Sequence, residues 1–191
     1  MQRIDSRAVD QAVDEMIRVL GPYESADWQV PAGSLEWTCR ETVVHVAHDL
    51  LAYAGQLAAR PADAYLPFDL TVRDAAPVRD VLRVVTACGG LLSTAVTAAA
   101  PGDRAWHWGP CDPTGFAAMG VAETLLHTHD ITQGLGIAWR PPTDLCAGVL
   151  DRLFPDAPSG DPAQVLLWST GRGGLAGCPR VTSWAWKAAV G

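Results

Sequence analysis

Two acids and two histidines fall within eight positions of an otherwise apolar segment, AETLLHTHD, which runs from Ala122 to Asp130. Glu123 and His127 are four residues apart, so on an α-helix their side chains project from one face with Cβ atoms about 5–6 Å apart. A buried carboxylate without a partner costs several kcal/mol, and it therefore needs a cation or a proton beside it. A divalent metal bound by both side chains would meet that need.

A second helical segment supplies a further donor. His45 lies in ETVVHVAHDLL and is bracketed by Val44, Leu51 and Ala52. Two imidazoles and one carboxylate form a donor set that binds divalent metals and leaves coordination positions open for water or substrate. The alternative is a weak, solvated Glu–His pair on an exposed helix, because the sequence alone does not show that the two segments meet.

Helical periodicity dominates the first three quarters of the chain and predicts the elements that would position these donors. The first helix is predicted from about Ser6 or Ala8 to Leu20. The second follows a capping box of Thr38 and Glu41 and continues to about Ala59. The third is predicted from about Pro77 to Ala100, and the fourth from after Thr114 to about Gln133 or Leu135. Four helices of these lengths predict a mainly all-α protein built on a four-helix bundle.

The pattern changes after Gly136. The segments RPPTDLCAGVLDRLFP and DPAQVLLWSTG each predict a short helix, and the alternating tail GRGGLAGCPRVTSWAWK is compatible with a small strand pair. We therefore divide the chain into a metal-binding bundle, residues 1–140, and a C-terminal extension packed on it, residues 141–191.

Composition limits the classes of partner. The chain has 191 residues, of which 49% are hydrophobic and 18% charged, and a formal net charge of −7. A negative chain of this kind is unsuited to nucleic acid or to an anionic membrane surface. Five widely spaced cysteines without a C-x-x-C pair argue against a disulfide framework, and the N-terminal segment reads as an amphipathic helix rather than a signal peptide. We expect a cytoplasmic protein.

Several segments together resemble a known family. WTCRETVVHVAHDLLAYA and MGVAETLLHTHDITQGLG are similar to two elements of the DinB-like superfamily, and more narrowly of the mycothiol-dependent maleylpyruvate isomerase N-terminal domain group. The lead-in DWQVPAGSLEW and the downstream PPTDLCAGVLDRLFPDAP extend the match over most of residues 8–158. The order and spacing of these pieces make the combination specific.

The resemblance implies a DinB-like four-helix bundle that holds a metal, most simply zinc, between its helices. The family's ligands fall here on His45, Glu123 and His127. Asp49 and Asp130 recur in the motif, where either could orient an imidazole or serve as a structural cap or surface pair. His48 and His129 stand where the family often has other residues, so we expect both at the rim of the site.

The resemblance further implies a metal-dependent thiol transferase or isomerase that uses mycothiol as cosubstrate and acts on an electrophilic small molecule. The isomerase itself has a separate C-terminal domain, whereas about 55 residues follow the fourth helix here. Metal-dependent hydrolysis and non-catalytic binding of a metal or small ligand remain alternatives. Arg172 could meet a substrate carboxylate, or it could be a solvated arginine in a turn. No catalytic residue stands out beyond the metal site, and either a monomer or a homodimer is compatible with the sequence.

Overall fold

The computed structural model describes residues 4–190 and is built almost entirely of helices. The four long ones are α1 (Ser6–Leu20), α2 (Cys39–Ala59), α3 (Val78–Ala98) and α4 (Pro113–Gly134). A 3₁₀ turn, Gly21–Tyr23, follows α1. The mainly all-α, DinB-like bundle predicted from the sequence is confirmed, with helix boundaries within a few residues of those expected.

The order of the helices around the bundle decides which side chains can meet. α1 packs against α3 and α4, and α2 packs against the same two helices. α1 and α2, although consecutive in the chain, therefore occupy opposite corners of the bundle. The contact between α2 and α4 is the one that matters for the site, because it brings the segment around His45 against the segment around Glu123.

Glycines allow two close helix contacts. A Cβ on Gly89 in α3 would lie 2.7 Å from Cγ2 of Val13 in α1. A Cβ on Gly120 in α4 would collide with Leu92 of α3 and press on Leu50 of α2. The absence of a side chain at these two positions lets the backbones approach.

The C-terminal extension consists of α5 (Thr143–Leu153), α6 (Pro162–Ser169) and an irregular tail. α5 lies on α4, and α6 lies on α5. Arg152 of α5 donates to the Asp112 carboxylate and to the carbonyls of Lys187 and Ala188, so one guanidinium ties the tail to the start of α4. The split at residue 140 stays a prediction, and residues 1–3 and 191 of its two ranges lie outside the described part of the chain.

The small strand pair does not lie in the tail, where we expected it. Within residues 4–190, β1 (Ala105–Trp106) and β2 (Pro110–Cys111) form an antiparallel pair in the loop between α3 and α4. The tail contributes a single bridge from Ala189 to Cys111. The alternation of the tail reflects instead the packing of Trp184 and Trp186 on each other, with ring centroids 5.6 Å apart.

α4 is buried on nearly all sides, because the other helices cover one side of it and α5 covers the other. α3 is the only helix in the described chain that is long and apolar enough to cross a membrane by length and composition, and a third of the relevant window is buried against the bundle. A core helix of a bundle has the same properties, so this feature by itself is weak evidence for a membrane span.

Candidate metal centre

Side-chain caps define where α2 and α4, the two helices that carry the donors, begin. Thr38 and Glu41 form the expected capping box, with Oγ1 of Thr38 accepting from the Glu41 amide at 3.1 Å and Oε2 of Glu41 accepting from the Thr38 amide at 2.8 Å. Asp112 caps α4 by accepting from the Gly115 amide at 2.7 Å. Each cap satisfies amides that have no partner within the helix.

The structure brings His45, Glu123 and His127 together. Nε2 of His127 lies 3.1 Å from Oε2 of Glu123, and Nε2 of His45 lies 3.9 Å from the same oxygen. One potential ligand atom from each of the three residues can be chosen so that all lie within 4.8 Å of one another. The two imidazole rings meet edge to face, with centroids 5.1 Å apart.

These distances fit a small divalent ion. Ligand atoms about 2.0–2.1 Å from zinc and arranged tetrahedrally lie about 3.3–3.4 Å from one another. The separations of 3.1 and 3.9 Å bracket that value, so small side-chain shifts would seat an ion. Glu123 is only 8% exposed, and a carboxylate so deeply buried needs a positive partner. The cluster could therefore hold a divalent metal ion.

Asp130 lies on the other side of the His127 ring. Its Oδ2 is 3.0 Å from Nδ1 of His127, whereas Nε2 of that ring faces Glu123. Arg172, from the C-terminal extension, makes a two-point contact with the same carboxylate. Its Nε donates to Oδ1 at 3.0 Å, and its Nη2 donates to Oδ2 at 2.8 Å. The Arg172 guanidinium is thus engaged with Asp130 rather than solvated, and its contact with a substrate carboxylate stays a prediction. A role for Asp130 in orienting His127 stays a prediction.

Asp49 lies one helical turn after His45 and contacts a different nitrogen from the one that an orienting group would use. Its Oδ2 is 3.2 Å from Nε2 of His45, the atom that also faces Glu123. The Asp49 carboxyl group is therefore on the inner side of the ring, among the donor atoms.

The ionisation of the cluster reflects its crowding. Burial, and then the charge of Glu123, raise the pKa of the Asp49 carboxyl to about 8. Burial opposes protonation of His127, but hydrogen bonds to Asp130 and Glu123 outweigh it and raise the pKa of this imidazole to about 9. Burial lowers the pKa of His45. Without a metal, protons thus hold these groups together, and a bound cation would replace them.

An open cavity of about 280 Å³ gives access to His45, and Trp37 and Asp69 are among the residues that line it. The Trp37 ring packs on the His45 ring at a centroid distance of 4.7 Å. His48 also lines this cavity, and its Nδ1 accepts from the Leu70 amide at 3.1 Å. His129 instead lines a cavity of about 240 Å³ beside Arg172. Neither histidine belongs to the cluster of three donors.

Two residues near the site were not singled out in the sequence. The Tyr53 hydroxyl donates to Oε1 of Glu123 at 3.5 Å. The spacing of His45, Asp49 and Tyr53, each four residues after the last, could have predicted that all three share one face of α2. His107 is the first residue of the turn between β1 and β2, and its ring lies 5.8 Å from that of Tyr53. No periodic signal marks a residue in so short a hairpin.

The comparisons with known proteins agree with this architecture. A family model described as the mycothiol maleylpyruvate isomerase N-terminal domain matches residues 9–132, well over half of the chain, and it spans all three donors. No curated protein and no solved structure matches the chain significantly. The chain belongs to the mycothiol maleylpyruvate isomerase N-terminal domain family.

Proposed function

We propose that this protein is a divalent-metal-dependent enzyme that adds a low-molecular-weight thiol to an electrophilic small molecule. As a transferase it would leave the thiol in the product, and as an isomerase it would break the new bond to sulfur again and release the thiol. The observation that carries the proposal is the convergence of His45, Glu123 and His127 from two helices on one small volume. Zinc is the metal that best suits two imidazoles and a carboxylate with a remaining position for a co-ligand. The family description points to mycothiol as the thiol.

A metal at this site would lower the pKa of a coordinated thiol, so that its reactive thiolate form is present near neutral pH. The residues of the chain hold the arrangement in place. Asp130 accepts from Nδ1–H of His127, which leaves the Nε2 lone pair available for coordination. Arg172 keeps the Asp130 carboxylate ionised and fixed in place. The half-exposed Trp37 provides an apolar wall over His45 at the open side.

Metal content tests the site. Elemental analysis of the purified protein should find close to one divalent ion per chain, and His45→Ala and Glu123→Ala should each lose it. His48→Ala is the matched control, because the residue has the same type and lies on the same helix three positions from His45. A metal that persists in His45→Ala or Glu123→Ala would remove that residue from the site.

Activity tests the reaction class. The metal-loaded protein is incubated with a panel of electrophiles, with and without mycothiol, and products are identified by mass spectrometry. Conversion that requires both metal and thiol supports the proposal. Conversion by metal alone with water incorporated would show a hydrolase instead, in which the same ligands activate a bound water. Electrophiles that raise the melting temperature but are never converted would show a non-catalytic binding protein. We expect the protein to act in the cytoplasm.

A further inference from the structure

We infer that Tyr53 keeps one coordination position of the metal open by holding the second oxygen of Glu123. The inference rests on the proposed metal site and deepens it. A carboxylate can bind a metal through one oxygen or through both, and in the second case it occupies a position that a co-ligand would need. The neighbours of the Glu123 carboxylate favour binding through one oxygen.

The two oxygens of Glu123 have different surroundings. Oε2 faces both imidazoles, at 3.1 Å from Nε2 of His127 and 3.9 Å from Nε2 of His45. Oε1 instead accepts a hydrogen bond from the Tyr53 hydroxyl at 3.5 Å. Oε2 is therefore the oxygen that lies with the other two donors, whereas Oε1 is engaged with a side chain of the protein.

Packing holds the Tyr53 hydroxyl in its place. Tyr53 lies in α2 and is only 7% exposed. The centroid of its ring lies 6.1 Å from that of Phe116 in α4 and 5.8 Å from that of His107. A buried tyrosine hydroxyl normally has a hydrogen-bond partner, and among residues 4–190 Glu123 is the only one that this hydroxyl has.

Binding of a metal through both oxygens of Glu123 would be unfavourable for that hydroxyl. If Oε1 turned away, a buried donor would lose its acceptor in a place where water does not replace it. The hydrogen bond is long at 3.5 Å, compared with a usual length of about 2.7–2.8 Å, so we expect a moderate effect. Two imidazoles and one carboxylate oxygen then fill three positions of a tetrahedral site and leave the fourth for the thiol.

The test compares Tyr53→Phe with Tyr65→Phe in the full chain loaded with Co²⁺. Tyr65 is the matched control, because it is exposed, its ring also lies 5.8 Å from that of His107, and within residues 4–190 no hydrogen bond joins it to Glu123. Azide probes the open position whatever the thiol is, and mycothiol probes the proposed co-ligand. The visible spectrum of bound Co²⁺ reports the coordination number and gives the dissociation constant of each probe. Thermal unfolding of the metal-free proteins checks that both variants fold.

We expect Tyr53→Phe to bind one Co²⁺ per chain with a changed spectrum, because Glu123 can then use both oxygens. The dissociation constants of azide and mycothiol should rise by about 10-fold, at the lower end of the effects of groups that contact a metal ligand. Tyr65→Phe should match the parent. Equal azide dissociation constants in Tyr53→Phe and the parent would overturn the inference, and so would a folded Tyr53→Phe protein that no longer binds Co²⁺.

A second measurement does not depend on how the variant folds. A crystal structure of the zinc-loaded parent should show one oxygen of Glu123 at a ligand distance of about 2.0–2.2 Å and the other beside the Tyr53 hydroxyl. Two oxygens at ligand distance would overturn the inference while leaving the metal site intact. A parent that binds neither ion, or that binds azide but not mycothiol, would instead overturn the proposed function.

Discussion

At the scale of single residues, the site buries charged side chains and stabilises each one with a charged or polar neighbour. Glu123, His127 and Asp130 are all buried, and each is stabilised by the next: Glu123 by His127, His127 by Asp130, and Asp130 by Arg172. Such a chain of charged hydrogen bonds is stable only when every member is present, because removing one leaves its neighbour buried without a partner.

Asp130→Asn tests this chain at its middle. The amide keeps the shape of the side chain but can offer its NH₂ group to Nδ1 of His127, which would favour the tautomer that carries its proton on Nε2. We expect zinc affinity to fall about 10–100-fold, as for other groups that orient metal-binding histidines. Chelator competition measures it, with Asp14→Asn on the exposed side of α1 as the control. Equal affinities for the two variants would show that Asp130 does not act on the metal.

His107, which is not one of the three donors, gives the protein a further pH dependence. Burial lowers the pKa of this imidazole, and its backbone contact and the charge of Glu123 only partly offset the effect. In the folded protein the His107 ring is therefore still neutral at a pH at which the same ring in the unfolded chain is already protonated. The stability that depends on a neutral His107 ring is fully present above the pKa of the unfolded chain, about 6.5. It is lost as the pH falls below that value.

His107→Phe should weaken this dependence. Phenylalanine suits the surrounding rings of Tyr53, Tyr65, Phe116 and Trp186, and it removes a ring nitrogen, Nδ1, that is buried without a hydrogen-bond partner in the described chain. Urea unfolding at pH 7.5 and pH 5 measures the loss of stability on acidification. We expect a smaller loss in the variant than in the parent, and the idea fails if the two losses are the same.

At the scale of elements, close helix contacts set the positions of the donors. α2 and α4 carry all three, and α3 packs on both of them, so the α1–α3 contact helps to fix the bundle around the site. That contact depends on Gly89, which lies against Val13, whereas the neighbouring Gly90 faces open space.

Gly89→Ala and Gly90→Ala form a matched pair within α3. The new methyl group at residue 89 would overlap Val13, and overpacking of this kind costs about 1–3 kcal/mol. At residue 90 the same change should raise the free energy of unfolding by about 0.5–1 kcal/mol, because alanine favours a helix over glycine. Urea denaturation of both variants measures the difference. We expect the changes in the free energy of unfolding to have opposite signs. If both variants are stabilised, α1 moves away from residue 89 without loss of stability, and the inferred role of Gly89 is wrong.

At the scale of the whole molecule, the C-terminal extension completes the site. Arg172 reaches Asp130 across 42 positions of sequence, and α5 covers the side of α4 that would otherwise face water. The extension thereby excludes solvent from the charged chain that holds His127.

Arg172→Ala measures this link. The change leaves the Asp130 carboxylate buried beside His127 without its guanidinium, and we expect a loss of about 2–4 kcal/mol in the free energy of unfolding. Arg172→Lys should recover only part of it, because an ammonium group cannot make the two-point contact. Arg180→Ala, at an exposed arginine of the same cavity, should change stability by less than about 0.5 kcal/mol. Comparable losses at residues 172 and 180 would contradict the assignment.

Much of this protein follows from local rules in its sequence. The capping box at Thr38 and the periodic apolar residues predict four long helices, because caps and periodicity act within a few residues of the chain. The four-residue spacing of Glu123 and His127 likewise sets their shared face. The strand pair was misplaced because alternation in the tail arises from aromatic packing rather than from strand pairing.

Only the tertiary structure decides which distant residues meet. The diagonal placement of α1 and α2 puts α2 beside α4, and this brings His45 to Glu123 from 78 positions away. The same packing turns Asp49 toward the donors and directs Arg172 to Asp130 instead of to open solvent. Spacing along the chain fixes the face on which a side chain lies. The partner of that face is chosen by burial of apolar surface summed over the whole bundle, a property that no short segment contains.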